Sequence, residues 1–299
     1  MTRRELLAAA AASLAPPASV LVDTHIHLFA DDQKRFPYHP QATYKPPAAP
    51  LESYVRFVRE AGIAHTVIVH PEPYQDDHRY LEYCLAHETS PGFFKGTCLL
   101  DPIDPKTPAR LAALVGRHPG RIVALRVHSM DKQLTTSGAI RNRDLRDPAM
   151  KTTWRAAADR GIAIQMHFIP FFAPQIGALA AQFPNVPVIL DHLARAGQGA
   201  PAEYDEVLRL AKYPRVYMKY SGVRYSSKQD YPFADAKPIV RRAYDAFGAD
   251  RVLWGGLGHT RDEFRQAVAL FDQMFDYASE SDRAKIRGLN ALKLFGWKA

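Results

Sequence analysis

Cysteine is scarce. The 299 residues hold 2, Cys84 and Cys98, and no CxxC. That excludes a disulfide scaffold and a paired-cysteine metal or redox motif. Cys98 lies in the apolar run FFKGTCLL and reads as a small buried hydrophobe; a single bridge to Cys84 stays open. No Gly-rich phosphate loop follows the first apolar strand segment, which weakens an open doubly wound sheet. No segment after the N-terminus is long and apolar enough for a permanent membrane anchor. Charge of one sign never runs on: the net charge of +8 is spread over residues such as Arg117, Arg121, Arg126, Arg141, Arg143 and Arg146, without interleaved aromatics. That argues against nucleic acid and for a bias toward anionic small molecules.

What is present is a chain with 47% apolar residues, enough for a sizeable core. It begins MTRRELLAAAAASLAPPAS, with Arg3 and Arg4 before a short Ala/Leu run and Pro16–Pro17. This is the layout of a twin-arginine export signal over residues 1–19, although the cleavage site is not a clean A-x-A. A periplasmic or exported protein is expected, with a cytoplasmic one as the alternative. From residue 20 to 299 the periodicity switches eight times between strand-like and helix-like segments. The strands are expected at 20–27, 65–70, 93–100, 122–128, 162–168, 186–192, 215–222 and 251–256. The helical stretches between them run from LESYVRFVREAG to RDEFRQAVALFDQMF. Eight β-then-α units predict an α/β fold, a (β/α)8 TIM barrel. The Pro-rich stretch 29–50 reads as a lid over the active-site face, and the tail SDRAKIRGLNALKLFGW as a closing helix with an aromatic plug.

In DTHIHLF, residues 23–29, Asp23, His25 and His27 sit two apart, so a regular strand sends all three to one face. Reactive groups of a barrel gather at the C-terminal strand ends. Here those ends carry His25, His27, His70, Asp101, Arg126, His128, His167, Asp191, His192, Lys219, Ser221 and His259, which include seven of the 12 histidines. His70 and His128 are balanced between site and core. Asp101 reads as a turn former, and Lys219 as pointing outward. Clustered neutral imidazoles suit zinc, manganese or a similar divalent ion, which would lower the pKa of bound water and polarise a carbonyl. Arg126 is a natural carboxylate anchor.

Taken together, VDTHIHLF, IQMH, VILDHLARA, VYMKYSGVRYS and FGADRVLWGG resemble the amidohydrolase superfamily, in its amidohydrolase-related branch of lactonases and metal-dependent decarboxylases. The strand-six and strand-seven segments are more similar to the lactonases, such as pyrone-dicarboxylate and sugar lactonases. The resemblance implies a hydrolase that opens a small carboxylated or sugar-derived lactone by water attack. It implies His25, His27, His167 and His192 as catalytic residues. Arg126, His128, Ser221, Arg224 and His259 would bind substrate, and His25, His27 and His167 would be the metal ligands. One departure matters. The family pattern W-G-S/T-D-W-P-H near strand eight is WGGLGHT here, so the metal-binding or water-activating aspartate is missing. Asp262 reads as a helix cap, and the base falls to His192 or Asp191. With only neutral ligands, a metal would be held weakly, or the reaction would be metal-independent. A decarboxylase on the same barrel and a non-catalytic ligand-binding homologue are the alternatives; an oligomer is open.

Overall fold

A computed structural model describes residues 20–256 and 258–298. The export-signal reading falls on residues 1–19 and lies outside them. Eight parallel strands form one sheet in the order β1 to β8. They are β1 (Leu21–Ile26), β2 (Ile63–Val69), β3 (Phe94–Leu99), β4 (Ile122–Ser129), β5 (Ala163–Phe168), β6 (Val188–Leu190), β7 (Val216–Tyr220) and β8 (Val252–Trp254). Each is followed by a helix: α1 (Leu51–Ala61), α2 (Arg79–Ala86), α3 (Thr107–Arg117), α4 (Pro148–Asp159), α5 (Ala173–Gln182), α6 (Pro201–Arg209), α7 (Lys237–Phe247) and α8 (Arg261–Met274). The barrel read from the periodicity is therefore present. Between β8 and β1 side chains make the seam: Thr24 Oγ1 donates to the Trp254 carbonyl at 2.6 Å, and Asp23 Oδ1 accepts from Gly256 N at 2.9 Å.

Strand alternation sorts the residues. Val22, Val67, Val69, Ala124, Ala163, Ile189 and Leu253 form one buried cluster with Ala291, Leu292 and Phe295 of α9 (Asn290–Phe295). The closing helix thus plugs the N-terminal end of the barrel, where each fully buried aliphatic contributes about 1.5–3 kcal/mol. Trp297 completes the plug by stacking on His65, with ring centroids 4.7 Å apart. Two strand positions further along, the same parity brings Arg126, Gln165, Asp191 and Lys219 inward. A polar layer therefore lies above the apolar one, toward the C-terminal strand ends.

Several expectations change here. Asp23 does not share a face with the imidazoles. The β1–β2 register shifts between Asp23 and Ile26, and such an irregularity breaks period-two alternation. Its carboxylate goes to the seam instead. Lys219 is fully buried rather than outward-pointing. Cys84 and Cys98 are both free and buried. The cap of α8 is Thr260, in a reciprocal box with Glu263; Asp262 sits in the first turn, where its charge faces the helix dipole. Among the described residues no helix is long and apolar enough to cross a membrane.

Candidate active site

The floor of the site is an ion cluster. Asp191 follows β6 and is fully buried. Its Oδ2 accepts from Arg126 Nε at 2.9 Å, and Gln165 Nε2 bridges both oxygens at 2.9 and 3.0 Å. Lys219 Nζ stands 3.4 Å from Oδ1 and donates to the Thr24 carbonyl at 3.0 Å. Burial alone would raise the Asp191 carboxyl. Lys219 and Arg126 overturn that and hold it well below the usual carboxylate range. A carboxylate so fully engaged is a poor proton acceptor, which corrects Asp191 as a candidate base.

Imidazoles stand on this floor. His27 Nδ1 meets the Val69 carbonyl at 2.7 Å, which fixes the proton there and leaves Nε2 as the lone-pair nitrogen. His25 Nε2 lies 3.3 Å from that nitrogen and is assigned as its donor. His192 Nδ1 is 2.8 Å from Ser221 Oγ. Gly222 carries φ +52, and a Cβ there would lie 2.8 Å from His192 Nδ1, so only glycine leaves room for the ring. The same holds at Gly255, where a Cβ would meet the His25 Cβ at 2.8 Å. His192, Leu193, Ala194 and Arg195 all have φ between 53° and 56°. Four successive non-glycine residues in the left-handed region are strained, at roughly 1–2 kcal/mol each. The turn they make presents both His192 and Arg195 to one cavity. Arg195 Nη1 then reaches His167 Nε2 at 3.2 Å, and its guanidinium covers the Tyr225 ring at 3.8 Å.

That cavity, of about 600 Å³, opens above the histidines. His27, Arg126, His128, His167, His192 and Arg224 line it, joined by Thr43, Tyr44, Glu72, Arg141, Arg195 and Tyr225. The stretch after β1 does fold over the site. Phe29 and Ala49 exchange backbone hydrogen bonds at 3.0 Å, closing a loop that carries Thr43 and Tyr44 to the cavity. Thr43 Oγ1 donates to Glu72 Oε2 at 3.1 Å and accepts from Arg141 Nη1 at 3.0 Å. Four guanidiniums and one carboxylate line the cavity, and one of the four, Arg126, is already paired with Asp191.

Not every expected residue reaches it. His25 is wholly buried behind His27. Ser221 positions His192 and faces a neighbouring pocket. His259 Nε2 donates to the His27 carbonyl at 2.6 Å, tying the β8 loop to β1 rather than facing ligand. His70 bonds the Gln75 carbonyl at 3.0 Å outside the cavity. Asp101 pairs with the buried Arg143 at 3.0 Å besides forming its turn.

Burial first, and nearby cations second, keep these rings neutral. His27 is pushed down to about 3 by burial and Arg126. His128, His167 and His192 lie well below their ordinary value through burial and Arg126, with Asp191 opposing. The donors that could share an ion are His25, Asp191 and His192, whose ligand atoms lie within 4.8 Å of one another. They differ from the expected His25, His27 and His167, whose last member already meets Arg195. The set does not suit a divalent cation. Its carboxylate is taken by Arg126, Gln165 and Lys219, and two buried positive charges would face the ion.

Sequence reasoning missed Lys219, Arg195 and Tyr225. Lys219 shares strand parity with Ser221, so that signal was present. Arg195 depends on the left-handed turn, which no periodicity announces.

Residues 22–297 match the family model described as Amidohydrolase. The chain is 26% identical to a 4-sulfomuconolactone hydrolase of Hydrogenophaga intermedia, over 94% of this chain and 89% of that protein. It is also 26% identical to an L-fucono-1,5-lactonase of Burkholderia ambifaria, over 79% and 81%. In fold it is similar to a Pseudomonas putida structure described as a candidate 2-pyrone-4,6-dicarboxylic acid hydrolase. There the TM-score is 0.76 with 23% identity, over 94% of this chain and 99% of that one.

Proposed function

This chain belongs to the amidohydrolase family, and from that premise we propose that it hydrolyses a small carboxylated lactone without a metal. Two relatives named for lactone hydrolysis support the reaction type. The observation that carries the reading is the cavity itself, in which neutral imidazoles stand beside Arg126, Arg141, Arg195 and Arg224. Guanidiniums hold a carboxylate by planar, paired hydrogen bonds, which favours an acid lactone over a neutral sugar lactone.

In this reading His192 is the base. Ser221 fixes its Nδ1, and among the described residues nothing pairs its Nε2. His192 takes a proton from water as the water oxygen adds to the lactone carbonyl. Arg126 and His128 stabilise the oxygen that becomes negative. Arg141 and Arg224 meet the carboxylate. His167 hydrogen-bonds a substrate oxygen, while His27, its two ring nitrogens held by the Val69 carbonyl and His25, forms the cavity wall, and His25, Ser221 and His259 are positioning residues. The barrel is taken as residues 20–299. Export by the twin-arginine route rests on residues 1–19 alone and predicts a shortened N-terminus in the periplasm.

The test is hydrolysis of a panel of acid and neutral lactones, with chelator and with added zinc or manganese. Acid lactones should open at a rate that chelator does not change. His192→Ala should lower kcat on the order of 10²- to 10⁴-fold. Turnover restored only by metal would overturn the metal-free reading. Carbon dioxide release without ring opening would point to a decarboxylase, and tight binding without turnover to a non-catalytic homologue.

A further inference from the structure

Ring opening needs a proton donor as well as a base. We propose that the Tyr225 phenol hands its proton to the leaving ring oxygen, an inference that rests on the lactone reading. Tyr225 lines the cavity. Its oxygen accepts from Arg224 Nη2 at 2.7 Å, and the Arg195 guanidinium lies 3.8 Å from its ring centre. The accepting lone pair is therefore occupied, and among the described residues no acceptor takes the phenol's own hydrogen. That hydrogen is free for a substrate oxygen. The ring stands 5.4 Å from the His192 ring, edge to face, so base and donor stand side by side on the wall of one cavity.

The other protic groups of the cavity suit the task less. Tyr44 is 42% exposed, and among the described residues no guanidinium donates to its hydroxyl to stabilise a phenolate. Burial raises the Glu72 carboxyl above its ordinary value, but one of its oxygens is bonded by Gln75 and the other by Thr43, so neither is open to a substrate. For Tyr225 burial works upward, but Arg224 and Arg195 outweigh it and the phenol lies below its ordinary value. The same two guanidiniums stabilise the phenolate once the proton has gone.

The step balances. The water oxygen bonds to the carbonyl carbon, and its proton goes to His192 Nε2. The acyl C–O bond breaks, its electron pair stays on the ring oxygen, and that oxygen takes the Tyr225 proton. The His192 imidazolium then returns a proton to the phenolate through solvent. The products are a carboxylate, an alcohol and the proton released by the new acid.

The test compares two acid lactones in the full chain, one with an alkoxide leaving group and one with an enolate. An enolate leaves without help; an alkoxide requires protonation. Tyr225→Phe should lower kcat on the order of 10²-fold for the alkoxide substrate, change it about threefold or less for the enolate one, and leave both KM values near those of the parent. Arg224→Met, which removes the hydrogen bond to the phenol, should shift selectivity in the same direction and to a smaller extent. Equal slowing of both substrates by Tyr225→Phe, with an unchanged melting temperature, would overturn the inference alone. A parent chain that opens neither lactone would overturn the lactone reading and this inference with it.

Discussion

Asp23 and Asp191 are both fully buried in one barrel, and their surroundings drive them in opposite directions. Burial wins at Asp23. Two backbone N–H groups and Lys219 reduce the effect, and the carboxyl still rises from 3.8 to about 6. At Asp191 the direct ion pairs win. The difference lies in partners: Asp23 receives neutral donors from His25 and Gly256, whereas Asp191 receives a guanidinium and an ammonium. A carboxyl raised on folding binds its proton more tightly in the folded state, so its contribution is greatest below about pH 4 and falls as pH rises to about 6. At about 1.4 kcal/mol per unit this amounts to about 3 kcal/mol. Asp23→Asn keeps the accepting oxygen and removes the charge. Urea midpoints measured from pH 4 to pH 7 should therefore favour the variant increasingly as pH rises. Parallel curves for the two proteins would show that Asp23 does not titrate in that window. The D-x-H-x-H pattern was legible in the sequence; its splitting between seam and cavity was not, because a one-residue register irregularity leaves no mark on residue types.

The elements divide in the same way. Strands and helices were legible because β-branched alternation and helical spacing answer to burial, which period alone encodes. The closing helix and the loop over the cavity were also visible, as an amphipathic tail and a Pro-rich stretch. The left-handed turn His192–Arg195 was not. None of its four residues favours φ > 0, and the conformation survives through contacts made elsewhere: Ser221 on His192, and His167 and Tyr225 on Arg195. This predicts an unusual response to glycine. Ala194 (φ 55°) and Ala156, in the body of α4, are both buried. Ala156→Gly should cost about 1 kcal/mol or more through helix propensity and a lost methyl contact. Ala194→Gly relieves roughly 1–2 kcal/mol of backbone strain and should cost at least about 1 kcal/mol less than Ala156→Gly. Thermal unfolding of the two variants checks this. Equal losses would mean that the turn is not strained.

At the scale of the whole molecule, the site is a reservoir of uncharged imidazoles held inside a cationic shell. His25, His27, His128, His167 and His192 all lie below their ordinary value of 6.5 in the fold, burial being the largest cause for each. An unfolded chain protonates them freely below that pH, and the barrel does not. Their contribution to stability is therefore present above about pH 6.5 and is lost as pH falls through the window below it. Asp191, depressed in the fold, loses its contribution in the same direction below about pH 4, while Asp23 and Glu72, both raised by burial, work the other way. A single imidazole moved from 6.5 to about 3 already reaches several kcal/mol, against a total stability of about 5–15 kcal/mol. The barrel should unfold cooperatively on acidification before about pH 4, with urea midpoints nearly flat from pH 7 to pH 8. In Asp23→Asn the urea midpoint should start higher at neutral pH, fall more steeply on acidification and meet that of the parent near about pH 4, because an opposing group has been removed. Far-ultraviolet circular dichroism against pH, run for both proteins, decides the matter. A barrel that keeps its neutral-pH urea midpoint at pH 3 would mean that these imidazoles charge without cost, and that the cavity is far wetter than its buried histidines imply.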